Sequence, residues 1–88
     1  MKQGVKLLTQ MVSNPQGDWT ISDIERVCRA YGLYCEPPRG GGSHYKIASD
    51  QMDSILTVPF RKPIKTVYIK AFIRFVEGHA HIKIGEGS

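Results

Sequence analysis

The residues best suited to chemistry lie together in "RGGGSHYKI", residues 39–47. An imidazole can give or take a proton at cellular pH, so His44 is the first candidate for acid–base work. The glycines before it have no side chains to block a large substrate. Their N–H groups, that of Gly42 included, can approach phosphate oxygens closely. Ser43 adds a hydroxyl, and Arg39 and Lys46 add positive charge. A proton-transfer group beside cations is what phosphodiester cleavage needs, because negative charge builds on the reacting phosphorus centre. The same residues fit a plainer arrangement, a polar histidine on a solvent-facing strand behind a loose hairpin loop. Spacing alone leaves both open.

Other constellations are weaker. Lys62, Thr66, Lys70 and Arg74 recur every four residues. On a helix they would form one face, able to follow a phosphate backbone or simply to meet water. His79 and His81 make an H-x-H pair without the third or fourth ligand of a metal site. No metal and no cofactor is therefore expected. Asp50 and Asp53 read as a turn pair. Cys28 and Cys35 lack ligand spacing and read as two reduced core thiols. There is no P-loop, no dinucleotide fingerprint and no Cys-His nucleophile pair.

The chain has 88 residues, enough for one domain with a shallow surface site and too few for a deep cofactor cavity. Its net charge of +4 favours a polyanionic partner, though an acidic protein also fits. No apolar run reaches the ~18 residues of a membrane span. "MKQGVKLLTQM" is too polar for a signal peptide, so a cytoplasmic protein is expected.

Periodicity supplies the elements. Val5, Leu8, Met11 and Val12 predict a helix over 3–13, stopped by Asn14-Pro15. Ser22 and Glu25 form a capping box for a second helix over 23–31, with Ile24, Val27, Cys28 and Tyr31 as its apolar stripe and Gly32 past its end. Trp19 anchors the connection between them. The period then changes to two. "LYCEPP", "SHYKIA" and "SILTVPF" predict three strands in an antiparallel meander. Leu56, Val58 and Phe60 share one face, and Tyr45 and Ile47 turn away from His44 and Lys46. Pro63 suits the first position of a last helix whose stripe is Ile64, Val67, Tyr68, Ala71 and Phe75, ending at Gly78. "HAHIKIGEGS" has a brief strand-like alternation and then a flexible end. The order predicts an α+β fold, helix-helix-strand-strand-strand-helix, with the larger helices on one sheet face and His44 and Lys46 on the open one.

Taken together, "SDIERVCRAYGL", "GGGSHYKI", "ILTVPFRKP" and "YIKAFIRFVEG" resemble the HicA toxins of bacterial type II toxin–antitoxin systems. The resemblance covers a core over about 14–78. The helix over 1–13 is similar to the extension of longer HicA-like variants, and 79–88 is a tail. The resemblance implies one domain similar to a double-stranded-RNA-binding domain, with a three-stranded antiparallel sheet flanked by helices. It implies a ribosome-independent, metal-independent endoribonuclease that cleaves mRNA and stops translation. His44 maps onto the family's essential histidine, and a HicB-type antitoxin would cover it. Many members carry a histidine after the Val-Pro pair, where this chain has Phe60. Lys46, Arg39 or Lys62 would then assist, or one acid–base group suffices. Double-stranded-RNA-binding modules place lysines at the start of the last helix, where Lys62 and Lys65 lie. The alternatives are a non-catalytic RNA-binding module of this fold and a protein-interaction domain with an acidic partner.

Overall fold

Apolar side chains three and four residues apart bring the first two helices together. A computed structural model describes the backbone of residues 2–40 and 42–87 and the side chains of residues 4–40 and 42–80. α1 spans Lys2–Ser13 and α2 spans Ile21–Tyr31. Leu8 and Met11 of α1 join Ile21, Ile24, Val27 and Cys28 of α2 in the core. The helices are in close contact at Gly4. A Cβ there would collide with Ala30 Cβ and stand 2.6 Å from the Arg26 carbonyl oxygen. Val5 and Val12, expected inside, are exposed, and Leu8 and Met11 carry the buried face of α1.

The capping box of α2 lies two residues earlier than expected. Thr20, not Ser22, is the N-cap, and Asp23, not Glu25, answers it. The Thr20 N–H donates to Asp23 Oδ2 at 3.0 Å, and the Asp23 N–H donates to Thr20 Oγ1 at 3.4 Å. Both T-x-x-D and S-x-x-E satisfy the motif. Starting at residue 21 lets Ile21 bury its side chain in the core, which decides between them. At the other end Gly32 adopts the left-handed conformation (φ 72°), as its position predicts.

Three strands follow: β1 at Tyr34–Glu36, β2 at His44–Ser49 and β3 at Met52–Pro59. They form one antiparallel sheet in the order β1-β2-β3. Cys35, Tyr45, Ile47, Leu56 and Val58 alternate toward the helices and are buried or half-buried. Tyr34, Glu36, His44, Lys46, Ile55 and Thr57 face outward and are exposed. β3 closes at Pro59, opposite His44. The next residue's N–H, that of Phe60, donates to the Ser43 carbonyl at 2.7 Å.

The last helix, α3, spans Thr66–Gly87. It differs from expectation at both ends. Pro63 is not in its first turn, because the next residue is held elsewhere: the Ile64 N–H donates to the Trp19 carbonyl at 2.9 Å, and Ile64 is buried. The same tryptophan donates its ring N–H to the Asn14 carbonyl at 2.8 Å, so one residue ties both connections down. Gly78 does not end the helix. It lies inside, and residues 79–87 continue it rather than forming a strand or a loose tail. Ile69, Phe72, Ile73 and Val76 form the buried stripe, whereas Val67 is 64% exposed. A helix apolar nearly all round does not reveal its core face by period alone.

What carries α3 past Gly78 is His79, which is 1% exposed. Its Nε2 donates to the Tyr31 carbonyl at 2.8 Å, one of the carbonyls left without a partner at the end of α2. Its Nδ1 meets Ser49 Oγ, which itself accepts the Gln51 N–H at 2.9 Å. That arrangement assigns the ring hydrogen to Nε2 and lets the serine hydroxyl donate to Nδ1. His79 is thus no part of a metal pair, and the side chain of His81 lies outside the described residues.

Cys28 and Cys35 are both free thiols, Cys28 buried and Cys35 half-buried. The neighbouring Cys28 thiol holds the Cys35 thiol below its usual range. The proximity of Cys35, reinforced by burial, pushes the Cys28 thiol up. In the native protein at neutral pH an alkylating reagent should modify Cys35 first, and Cys28 only on unfolding. Peptide mapping checks this, and equal labelling of both would contradict the burial of Cys28. His79→Ala should cost about 2 kcal/mol, because it leaves buried polar partners on α2 and on the β2–β3 turn. Denaturant unfolding of that variant reads the loss directly.

Candidate functional site

The turn before β2 determines what surrounds His44. Gly40 has φ +58°, a conformation that side chains disfavour, and the Gly42 N–H donates to the Arg39 carbonyl at 3.1 Å. Arg39, Gly40 and Gly42 therefore take part in a tight turn. The Gly42 N–H is already used within it and is not offered to phosphate, contrary to the sequence expectation. Gly41 lies outside the described residues.

The turn delivers Ser43 and His44 to the end of the sheet, between two clefts. The first, about 270 Å³, is lined by Glu36, Pro37, Pro38, Arg39, Gly42, Ser43, His44 and Lys46. The second, about 420 Å³, is lined by Ser43, His44, Pro59, Phe60, Arg61, Lys65 and Tyr68. Among the described residues, Ser43 and His44 line both. The His44 side chain is exposed, and its Nδ1 stands 3.4 Å from Ser43 Oγ, a contact too long to be a strong hydrogen bond. Its Nε2 makes no hydrogen bond to the described residues, so it is available to a substrate.

Of the cations expected from sequence, Arg39 and Lys46 come to the first cleft and Lys65 to the second. Lys62, Lys70 and Arg74 are exposed but line neither. Lys62 precedes α3, so it shares no helical face with Lys70 and Arg74, which lie further along that helix. Arg61, Phe60 and Tyr68 take their place as walls of the second cleft. Arg61 could have been found from its position two residues after the end of a strand paired with His44. Tyr68 could not, because its aromatic ring read as part of the core stripe.

Together the clefts offer one imidazole flanked by cations on both sides, which is suited to holding a phosphodiester and moving a proton on it. One carboxylate, Glu36, lines the first cleft and pairs across the sheet with Lys46. It repels an anion that the cations attract. Glu36→Gln should therefore tighten binding of a polyanion such as heparin about two- to threefold. Titration at low salt measures this, and unchanged or weaker binding would place the anion elsewhere.

No family model, no curated protein and no solved structure matches the chain.

Proposed function

We propose that this chain is a metal-independent endoribonuclease, the toxin of a HicA-type toxin–antitoxin system, and that His44 is its acid–base group. The observation that carries the reading is the placement of an exposed histidine between two clefts. Arg39 and Lys46 line one, and Arg61 and Lys65 the other. An RNA strand laid across the end of the sheet would put the scissile phosphate at His44 and the phosphates on either side of it in the two clefts. The helix–sheet order is compatible with a double-stranded-RNA-binding-domain-like fold, and the G-S-H triplet at the start of β2 supports the HicA reading.

In this mechanism the 2′-oxygen attacks phosphorus and the bond to the 5′-oxygen breaks. His44 takes the 2′-hydroxyl proton or supplies one to the departing 5′-oxygen. The cations offset the charge that builds on the phosphoryl oxygens. The products are a 2′,3′-cyclic phosphate and a 5′-hydroxyl. The partner implied is a HicB-type antitoxin lying over His44. Tyr34, Ala48 and Ile55 stand side by side in the sheet register, and exposed Tyr34 and Ile55 give the open face an apolar row beside His44 and Lys46.

A non-catalytic RNA-binding module is the second reading. It is favoured by the lack of a second imidazole in either cleft among the described residues. The two separate at His44. Native chain and His44→Ala are induced in bacteria at equal abundance, both shown folded, with growth and transcript integrity followed together. The nuclease reading expects arrest and mRNA decay from the native chain only. In vitro, His44→Ala should lower cleavage about 10²- to 10⁴-fold, with native activity unaffected by EDTA. Equal arrest from both proteins would remove His44 from the mechanism, and products with 3′-hydroxyl ends would rule out attack by the 2′-oxygen.

A further inference from the structure

The second cleft has a wall that phosphate chemistry alone does not use. Phe60 is 55% exposed, yet it has two contacts within the fold. Its backbone N–H is bonded to Ser43, the neighbour of His44, at 2.7 Å. Its ring lies 5.8 Å from that of Tyr45 at an interplanar angle of 49°, a tilted aromatic contact that supports one side of the ring and leaves the rest to the cleft. Tyr68 lines the same cleft from the first turn of α3, and Arg61 and Lys65 supply its positive charge.

An aromatic face held beside cations fits a flat, apolar ring carried on an anionic backbone. We infer that Phe60 is a stacking platform for an unpaired nucleobase next to the phosphate at His44, with Arg61 and Lys65 holding the adjoining phosphate. The inference rests on the reading of this site as an RNA phosphodiester site, and it names the form of RNA that the site takes. In a duplex each base is stacked between its neighbours and has no free face to offer Phe60. In a single strand the base can turn out onto the ring, and stacking of this kind tolerates any base. The chemistry requires the same distortion. Attack by the 2′-oxygen in line with the leaving 5′-oxygen needs a nucleotide released from helical geometry, and a base held on Phe60 keeps it released. The substrate is therefore single-stranded at the cleavage point, whatever the overall likeness of the fold to duplex binders.

The test uses the full chain carrying His44→Ala, so that RNA stays intact. A short labelled single strand with one 2-aminopurine is titrated, in parallel with the same strand annealed to its complement. Stacking predicts quenching of the 2-aminopurine at one position along the strand, and preference for the single strand. Phe60→Ala should weaken single-strand binding about 5- to 150-fold and abolish that quenching. Phe60→Trp should retain both. Phe60→Leu keeps an apolar contact for Tyr45 without an aromatic face, and should behave as Phe60→Ala even if the alanine variant folds poorly. Equal single-strand affinity for the leucine and tryptophan variants overturns the inference. So does duplex binding as tight as single-strand binding, or no binding of RNA by the parent. The two readings fail separately. A native chain that binds and quenches without cleaving RNA keeps the platform and removes the nuclease. A native chain that cleaves, with Phe60→Leu equal to Phe60→Trp, keeps the nuclease and removes the platform.

Discussion

A single buried imidazole sets the geometry of this fold. His79 spans three elements: its own helix α3, the end of α2 through the Tyr31 carbonyl, and the β2–β3 turn through Ser49. Each of those partners would be costly to bury alone. Because α3 is a rigid rod, holding it at His79 constrains it at the other end as well. Tyr68 lies 11 residues earlier, about 16 Å along the helix axis. The bond between Ile64 and Trp19 fixes the chain just before that end. The cleft wall made by Lys65 and Tyr68 is therefore positioned by contacts far from the cleft itself.

Much of this fold is legible in the residue pattern, for local reasons. Asn14-Pro15 stops α1, Gly32 stops α2, and the period of two along "SHYKIA" and "ILTV" sorts the sheet into an inner and an outer face. What is not legible depends on partners distant in sequence. Two overlapping capping motifs precede α2, and only the burial of Ile21 chooses between them. Gly78 carries the usual cost of about 1 kcal/mol for a glycine inside a helix, so it reads as a terminus. Burial of Val76 on one side and His79 on the other overrides that cost. His79 itself gives no signal, since its partners lie 30 and 48 residues away.

The candidate site divides the same way. His44, Ser43, Arg39 and Lys46 sit within eight consecutive residues, and a turn followed by a strand is enough to gather them. The second cleft needs the strand end at Pro59, the segment after it and the first turn of α3. Reading the cations of α3 as one helical face favoured Lys70 and Arg74, which lie on the right element but beyond the cleft. Helix spacing tells which side chains share a face and not which end of the helix meets the sheet.

Pro59 has one more effect. The bond from the Phe60 N–H to Ser43 makes those two residues a hydrogen-bonded pair, so the backbone of Pro59 is turned away from β2, toward the free margin of the sheet. Any other residue there would present an N–H to solvent, and proline presents none. A visiting polypeptide cannot zip onto β3 as a fourth strand all the way to His44, because the ladder would break at its last rung. A protein that shields the histidine must lie across the sheet, gripping side chains, whereas a nucleic acid needs no backbone ladder and loses nothing. The same residue thus leaves the margin beside His44 open to a nucleotide chain and closed to strand addition.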